Sequence, residues 1–388
     1  MAILAGMIGT YPVGGVLWDY GQYAAGLERL GYEVFYLEDC GMEPYDPRTF
    51  RYGESCEYAM EYLPRALGAI SGDLAQRWHF RSSTGEICGM PGSDFEEVAR
   101  HADLFLNVSG SAILRDEYLR CRRKVLIDTD PGWNHFVNYP RADAGQLWPG
   151  AHSYREHDFF FTYAEQIGQP GCLLPGLGLE WKPTRPPAVL DLWKPEPPGD
   201  TWTTVMTWDN FRRPIEHEGA VYGTKELEFP KVETLPERLP LKFELATGGS
   251  TAPRERWRRL GWSVVEAEAI SATPEDYRKY IQKSRGEFSV AKNVYVATHS
   301  GWFSCRTVCY LAAGRPAVVQ DTGFSRRIPT GKGLMAFTTV EEAEEALRSV
   351  ERDYEAHQDA AREVAGRYFS DRLVLGRILE QTGLGGGK

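Results

Sequence analysis

Short apolar runs alternate with amphipathic stretches along the first half of the chain. The run Ile3–Ile8 precedes an amphipathic stretch over Leu17–Leu30, and Glu33–Leu37 forms the next apolar run. Gly31 marks the end of the first predicted helix. Further short apolar runs, each followed by polar or glycine residues, are Leu104–Val108, Lys124–Ile127 and Phe159–Phe161. This alternation predicts an α/β fold with doubly wound parallel sheets, whose ligands bind at the carboxyl ends of the strands.

The composition changes in a proline-rich stretch near the middle of the 388-residue chain. Its prolines, between residues 174 and 200, are Pro175, Pro183, Pro186, Pro187, Pro195, Pro197 and Pro198. A second αβ series begins at Thr203–Thr207, and a chain of this length can bury two or three cores. We therefore predict a first domain over 1–185, a stiff linker over 186–200, a second domain over 201–366, and a crossing helix with a flexible tail over 367–388.

A strand, a glycine turn, a helix and a second strand are predicted late in the chain. The two apolar runs are Val294–Ala297 and Ala317–Val319. The N-terminus of the helix between them presents backbone N–H groups, which favour negative charge. This arrangement is typical of a diphosphate site, and its candidate ligands are His299, Ser300, Gly301, Trp302, Ser304 and Arg306. The alternative for the histidine is a structural role at the end of a strand.

This turn resembles the donor box of glycosyltransferases with the GT-B fold, in which two Rossmann-like domains face each other. Its residues are Thr298-His299-Ser300-Gly301-Trp302-Phe303-Ser304, a string similar to the box of plant and bacterial UDP-sugar transferases. The family's Gly-x-Pro recurs as Gly314-Arg315-Pro316, later than expected, and Thr307 stands where an acid usually grips the donor ribose. The resemblance implies a glycosyltransferase that uses a nucleotide-diphosphate sugar as co-substrate, with no metal and no organic cofactor.

Three further glycine turns follow predicted strands. The first loop ends in Pro12-Val13-Gly14-Gly15, which resembles the turn that retaining GT-B transferases bring close to the donor phosphates. Glycine permits that approach because a Cβ would block it. The resemblance also implies that Asp321-Thr322-Gly323 touches the transferred sugar, and we expect Gly248-Gly249 to border the nucleoside. Glu38 and Asp39 leave open a dinucleotide-binding loop, although the first loop has no Gly-x-Gly-x-x-Gly.

Three carboxylates are candidates for the catalytic site: Asp128, Asp130 and Asp19. The first two directly follow an apolar run, and a strand that ends in Asp-x-Asp is typical of single-domain transferases whose acids hold a divalent cation. In a two-domain chain we interpret the pair as the rim of the interdomain cleft, able to bind or deprotonate an acceptor hydroxyl. Asp130 can equally cap the helical turn that Pro131 opens. His135 is a further candidate base.

Basic side chains are needed to neutralise a diphosphate as it leaves. The resemblance implies an Arg and a Lys early in the second domain, where Arg212, Arg213 and Lys225 follow the Thr203–Thr207 run. The family's spacing is not reproduced, so Arg306, on the first turn of the predicted donor helix, is the better candidate by position. A salt-bridged arginine is the alternative.

The overall charge argues against two classes of partner. A net charge of −10 and a pI near 5.5 do not suit a nucleic acid or an anionic membrane, because both require a basic face. No run reaches the roughly 20 apolar residues of a transmembrane segment. The N-terminus lacks a basic leader, and the seven cysteines include no Cys-x-x-Cys pair. We therefore expect a reduced, cytoplasmic protein.

Several outcomes stay open at this stage. Retaining transfer is expected, because Pro12 to Gly15 occupy the place where inverting UDP-sugar transferases carry a histidine. Asp19 keeps the inverting route open. A sugar-nucleotide epimerase of the same shape and a non-catalytic nucleotide-sugar-binding protein are alternatives. The acceptor, whether a small molecule, a lipid or a glycan, and the oligomeric state are not predicted.

Overall fold

The computed structural model describes residues 1–147, 151–208 and 213–385. Within these ranges the first large sheet has eight strands, which from edge to edge are Trp181–Pro183, Phe159–Thr162, Lys124–Asp128, Leu104–Val108, Ala2–Ala5, Val34–Glu38, Trp78–Arg81 and Ile87–Gly89. Neighbouring strands are parallel except for the last pair, which is antiparallel. The central strand, Ala2–Ala5, is completely buried, as expected for a parallel sheet covered on both faces.

A second sheet forms from the later part of the chain. Among the described residues it has six strands, in the order Ser263–Glu266, Lys242–Gly248, Thr201–Thr207, Gly286–Ser289, Ala317–Gln320 and Leu334–Phe337. All of its strand pairs are parallel. The prediction of an α/β chain with doubly wound parallel sheets is confirmed. We refer to the parts built on the two sheets as the first and second domains.

Helices cover both sheets, and two small hairpins project from them. The helices are Gly14–Arg29, Glu57–Gly68, Gly92–His101, Asp116–Leu119, Pro131–Trp133, Tyr139–Asp143, Leu235–Arg238, Arg254–Arg259, Ala267–Ile270, Pro274–Lys283, Asn293–Ala297, Cys305–Ala312, Val340–Arg352, Tyr354–Phe369 and Asp371–Gln381. A π-helical turn, Asn134–Asn138, joins two of them. The hairpins pair Tyr45–Asp46 with Arg51–Tyr52 and Ile215–His217 with Ala220–Tyr222. The second hairpin packs on the π-helical turn of the first domain, where Phe136 stacks on Tyr222 with 5.1 Å between centroids.

The last helix, Asp371–Gln381, returns to the first domain. Its apolar side chains, including Leu375 and Ile378, belong to the same buried cluster as Leu27 of the first helix. Gly26 of that helix leaves room for Leu375, because a Cβ there would lie 2.5 Å from its Cδ1. Close packing of this kind links the end of the chain to its beginning.

Two predicted elements differ from the structure. Val294–Ala297 is not a strand: Asn293–Ala297 is a short helix that packs against the first domain, where Val294 lies against Gly132. The run is apolar because that contact is buried, and such a short apolar run does not distinguish a strand from a helix. The helical region Val340–Phe369 is two helices, separated at Asp353. The end of the predicted tail, residues 386–388, lies outside the described residues.

The described residues contain no helix that combines the length and the apolar character needed to cross a membrane.

Candidate active site

A cavity of about 630 Å³ lies between the two domains. Residues that follow strands of the first sheet line one side, among them Tyr11, Ser109, Thr129 and Asp130. The second domain contributes Lys292, after its strand Gly286–Ser289, and Arg213. The cavity therefore lies at the carboxyl ends of strands, where open α/β sheets bind ligands, and its volume is in the usual range for a ligand pocket.

Asp130 joins the two domains across this cavity. Its Oδ2 accepts a hydrogen bond from Nζ of Lys292 at 2.6 Å, and its Oδ1 accepts one from the hydroxyl of Tyr295. Burial disfavours its carboxylate, but the charge and hydrogen bond of Lys292, together with the hydrogen bonds from Tyr295 and Trp133 N, outweigh burial and lower the pKa of Asp130. Its side chain also caps the short helix from Pro131, with Trp133 N at 3.4 Å. Both sequence interpretations of Asp130, cleft rim and helix cap, thus describe where it lies.

Asp128 lies beneath the cavity and not on its surface. It has no exposed area, and its Oδ1 accepts a hydrogen bond from Asn134 Nδ2 at 2.7 Å. Its Oδ2 lies 3.0 Å from Nε2 of His135 and accepts from the hydroxyl of Thr162 at 2.9 Å. The other ring nitrogen of His135 lies 2.8 Å from the carbonyl of Pro175. Asp128 and His135 therefore hold the helical segment that lines the cavity, and we assign them a positioning role.

Lys225 is a buried cation beside the cavity. The residue is only 8% exposed, and no described residue forms a hydrogen bond or ion pair with its ammonium group. Burial, followed by the positive charges of Arg306 and Lys292, lowers the pKa of Lys225 to about 7. A buried charge without a partner is costly to the fold. A bound anion would supply the missing partner.

Arg306 is already partly neutralised. Its Nε donates to Glu287 Oε1 at 2.7 Å, and its Nη1 donates to the carbonyl of Val205 at 2.8 Å. Glu287 is fully buried, and within the described part of the chain its Oε2 has no hydrogen-bond partner. Arg306 and Ser304 also line a small pocket of the second domain. The guanidinium is thus held in place at the start of the helix Cys305–Ala312.

The predicted donor turn lies against the first domain. Gly301 has a φ of +77°, and its N–H donates a hydrogen bond to Thr322 O at 2.8 Å. From the first domain, Gln166 N donates to Ser300 O at 3.0 Å. A Cβ on Gly301 would lie 2.7 Å from Cγ of Gln166. His299 is exposed and adopts a left-handed conformation, with φ +49°. It is therefore not a core histidine, and its role as a donor ligand stays a prediction.

Trp302 and Ser304 take different positions in the same turn. The indole Nε1 of Trp302 donates to Thr129 O of the first domain at 3.0 Å, and its ring stacks on Tyr295 with 4.3 Å between centroids. Ser304 precedes the helix Cys305–Ala312 but makes no side-chain cap hydrogen bond. Trp302 thus joins the domains, and the Ser304 hydroxyl is not used by the helix.

The other predicted glycine turns are occupied by protein contacts. Gly14 N–H donates to the carbonyl of Ser271 at 2.7 Å, and Gly15 packs against the ring of Tyr277. Gly248 accepts from Trp208 N at 3.0 Å. Gly249 O accepts from Arg254. In the last turn, Asp321 Oδ1 accepts from Gly323 N at 2.8 Å, and the Thr322 hydroxyl donates to Trp302 O. Of these turns, residues 321–323 are the ones that contact the donor turn.

Asp19 faces the donor helix from the first helix, Gly14–Arg29. Burial raises its pKa to about 6, against the opposing effects of a hydrogen bond from Cys305 and the charge of Arg306. A carboxylate with a pKa near neutrality is suited to proton transfer at physiological pH. Asp19 therefore stays a candidate base.

The alternative of a dinucleotide-binding loop requires Glu38 to be available to a ribose, and in the structure its carboxylate is bound to the first loop. Its Oε2 accepts from Thr10 N at 2.9 Å and from the Thr10 hydroxyl at 2.8 Å, and Gly9 N donates to its Oε1. Asp39 pairs with Arg115. Both acids are thus used within the first domain, and Glu38 fixes the conformation of the first loop.

Three residues of the site were not identified from the sequence: Lys292, Tyr295 and Glu287. Glu287 carried a usable signal, because an acid within a short apolar strand needs a buried partner. Lys292 and Tyr295 carried none, since their partner, Asp130, is distant in the chain. Arg213 lines the cavity, whereas Arg212 lies outside the described residues.

Several solved structures have a similar course of the chain. That of Anabaena HepE in complex with UDP and glucose has a TM-score of 0.55 and 11% identity, over 99% of both chains. HepE in complex with UDP-glucose gives 0.54 at 10% identity, again over 99% of both chains. AviGT4, a glycosyltransferase involved in avilamycin A biosynthesis, gives 0.50 at 16% identity, over 96% of this chain and 91% of its own. All are GT-B structures.

The chain has the GT-B fold. The resemblance drawn from the donor box is thereby confirmed at the level of the fold, including the two facing Rossmann-like domains. Likeness at these identities establishes the fold and not the activity. No family model and no curated protein sequence matches the chain.

Proposed function

We propose that this GT-B chain is a glycosyltransferase that moves a sugar from a nucleotide-diphosphate sugar to a hydroxyl acceptor. The observation that carries the proposal is the buried residue Lys225, whose ammonium group pairs with no described residue and has Lys292 and Arg306 near it. Lys292 and Arg306 are each paired with a carboxylate, so among the described residues the charge of Lys225 is the one left to a ligand, and it suits a diphosphate better than a neutral ligand. The three cations also lie at the side where the GT-B fold binds its donor.

We infer that the donor is a UDP-sugar. Anabaena HepE, whose whole length this chain covers, has been solved with UDP-glucose and with UDP and glucose. The donor box of this chain, Thr298 to Ser304, is similar to that of UDP-sugar transferases. The nucleotide would lie at the carboxyl ends of the second sheet, with its diphosphate towards the cations.

The reaction exchanges one bond at the anomeric carbon. The bond from that carbon to the diphosphate oxygen breaks, a bond to the acceptor oxygen forms, and the acceptor hydroxyl loses its proton. Lys225 and Arg306 would stabilise the charge that develops on the departing diphosphate, which is usually the largest contribution in such sites. Holding both substrates in one cavity would supply much of the remaining rate.

We propose a retaining outcome, in which the departing diphosphate accepts the acceptor proton. Asp130 is held by Lys292 and Tyr295, and Asp128 is buried, so neither is a free base in this conformation. Asp19 is the alternative base and would accompany inversion. The configuration of the product, read from its anomeric proton coupling by NMR, decides between the two routes.

Donor binding is the first experiment. We expect UDP and UDP-glucose to raise the melting temperature of the purified protein, because a ligand that binds only the folded state stabilises it. Lys225→Met should abolish the shift, and Lys279→Met, which changes an exposed lysine, should retain it. The absence of any shift with nucleoside diphosphates and their sugars would contradict the proposed function.

A further inference from the structure

The cavity between the domains has two unlike walls. On the second-domain side, Lys292 and Arg213 are charged. The first-domain side is mostly uncharged, with the hydroxyls of Ser109 and Thr129, the amides of Asn134 and Asn138, and the rings of Tyr11 and Trp133. We call this side the acceptor wall. A donor diphosphate belongs to the charged side, so the acceptor wall is left for the second substrate.

Hydrogen-bonding groups form two chains along the acceptor wall. Tyr20 donates its hydroxyl to Ser109 Oγ at 3.2 Å, and Ser109 Oγ lies 2.7 Å from Oγ1 of Thr129. In the second chain, Asn138 Nδ2 donates to Asn134 Oδ1 at 2.8 Å, while Asn138 Oδ1 accepts from Trp133 Nε1 at 3.0 Å.

Asn138 is fixed by these bonds and still has capacity for others. A side-chain amide carries two N–H donors and two acceptor positions, and each of the bonds above uses one. Asn138 therefore offers a donor and an acceptor side by side, on a half-buried side chain that lines the cavity. Two neighbouring hydroxyls of one molecule would satisfy both.

Tyr11 provides the apolar part of the wall. Its ring is half-buried in the cavity and meets the ring of Tyr52 edge-on, with 6.1 Å between centroids. Tyr52 contacts Tyr45 at 5.2 Å, and the exposed Phe50 lies at the turn between them. Rings of this kind present apolar faces with a polar edge. They form a strip that leads from the cavity to the surface of the hairpin.

The loop that carries Tyr11 is held rigidly. Buried Glu38 accepts hydrogen bonds from Gly9 and Thr10, as described above, and the carbonyl of Thr10 accepts from Tyr45 N at 2.9 Å. The first loop and the hairpin are thus one unit. A ring that is already fixed loses less conformational entropy on binding than a mobile ring does.

Resting on the proposed transfer reaction, we propose that the acceptor is a saccharide. One sugar ring would lie on the acceptor wall, with its hydroxyls on Asn138 and Thr129 and its C–H face on Tyr11, and further rings would extend along Tyr52. A long-chain alcohol fits this wall less well, because its single hydroxyl could not bond to both the remaining donor and the remaining acceptor of Asn138.

The test is saturation-transfer NMR on the full chain in the presence of UDP. The probes are the methyl glycosides of glucose, galactose, mannose and N-acetylglucosamine, the disaccharides cellobiose and maltose, and 1-octanol as the apolar competitor. We expect transfer to at least one sugar. Asn138→Leu and Tyr11→Ala should each raise its Kd at least tenfold, and Tyr11→Phe should not. Tyr32→Ala, at the opposite end of the first sheet, is the matched control.

Three results would overturn the saccharide proposal: transfer to octanol alone, no transfer to any sugar, or an equal loss in the Tyr32 control. Calorimetry with UDP on the same samples separates this failure from that of the proposed function. If UDP binds and no sugar does, the saccharide acceptor is wrong and the transferase proposal stands. If UDP does not bind, the proposed donor site, and with it the proposed function, is wrong.

Discussion

At the scale of single residues, the basic side chains near the cleft differ in whether a carboxylate neutralises them. Asp130 neutralises Lys292, and Glu287 neutralises Arg306, but no described residue pairs with Lys225. The charge of Lys225 therefore lowers the stability of the folded state. Such a cost is typical of residues that are kept for binding and not for stability.

The first prediction concerns that cost. Because folding lowers the pKa of Lys225 from 10.5 to about 7, its charge destabilises the fold fully below pH 7, and the effect fades as pH rises towards 10.5. We expect Lys225→Met to raise the free energy of unfolding at pH 6.5 by about 1–3 kcal/mol, since it removes an unpaired buried charge. The same variant should bind UDP about 100-fold more weakly, at about 1.4 kcal/mol per decade. Denaturant titration and calorimetry measure both.

Loss of both stability and affinity would instead mean that Lys225 has a structural partner in solution. Lys279→Met controls for a general effect of removing one positive charge.

The second prediction follows from the same ammonium and concerns pH. UDP-glucose should bind more weakly as pH rises through about 7, because binding needs Lys225 protonated and burial with Arg306 and Lys292 lowers its pKa. Asp130 and Glu226, the nearby acids, act in the opposite direction and do not cancel this effect. We expect Kd to rise about 20-fold between pH 6.5 and 8.5, because the protonated fraction of Lys225 falls from about three quarters to a few per cent. A Lys225→Met protein should show a flat profile, and an unchanged slope in that variant would assign the dependence to another group.

The third prediction concerns His299 and Ser304 as ligands of the diphosphate. Each would contribute a charge-assisted hydrogen bond, so His299→Ala or Ser304→Ala should weaken UDP binding roughly 10- to 100-fold. The melting temperature should change little, because His299 is exposed and Ser304 makes no cap hydrogen bond. His101→Ala, an exposed histidine of the first domain, is the control. Unchanged affinity with a large drop in melting temperature would make His299 a purely structural residue.

At the scale of elements, the first helix is the main contact between the domains. It packs on the helix Pro274–Lys283, where Trp18 Nε1 donates to Pro274 O at 2.9 Å. Gln22 accepts from Val189 N at 3.0 Å in the segment between the sheets. Contacts this close require small residues at the start of the helix, which Gly14 and Gly15 supply.

The fourth prediction tests that requirement. A Cβ on Gly14 would lie 2.4 Å from the carbonyl oxygen of Thr273, whereas one on Gly15 would lie 3.2 Å from the ring of Tyr277. Gly14→Ala should therefore lower the free energy of unfolding by about 1–3 kcal/mol, and Gly15→Ala by less, because a backbone atom cannot move aside as a ring can. Chemical denaturation measures both. If Gly14→Ala weakened UDP binding with unchanged stability, the glycine would serve the phosphates, as its sequence context implies.

At the scale of the whole molecule, two parallel sheets direct their strand ends at one cavity, and the chain supplies cations there. Arg213, Lys292 and Lys225 all come from the second domain. The net charge of the chain is −10, so this local excess of positive charge is opposite to the overall balance. A local field of this kind concentrates anions in the cleft.

The fifth prediction is that transfer does not need a metal ion. Lys225, Lys292 and Arg306 would take the place of the divalent cation on the diphosphate. With UDP-glucose and an identified acceptor, product formation should be the same with and without EDTA. Turnover abolished by EDTA and restored by manganese would instead assign Asp128 and Asp130 to a metal site.

Local patterns in the sequence were enough to predict the class of fold. The alternation of apolar runs with amphipathic helices is local information, since it reflects burial on both faces of a parallel sheet. The donor box added the GT-B arrangement, because backbone turns at a helix N-terminus need particular residues at adjacent positions. Val294–Ala297 marks the limit of this reasoning, as its apolar residues are buried by the first domain and not by a sheet.

Which charged groups meet in the cleft could not be predicted from the sequence. Asp130 and Lys292 are 162 positions apart, and no local pattern relates them. Asp128 and Asp130 look equivalent in the chain, but Asp128 is the last residue of its strand and Asp130 caps the helix that follows. One therefore lies in a buried network and the other in the cavity. The compensation of Arg306 and the isolation of Lys225 depend likewise on long-range packing. The pairing of charges in the cleft depends on distances between residues of different domains, and local sequence patterns do not predict these distances.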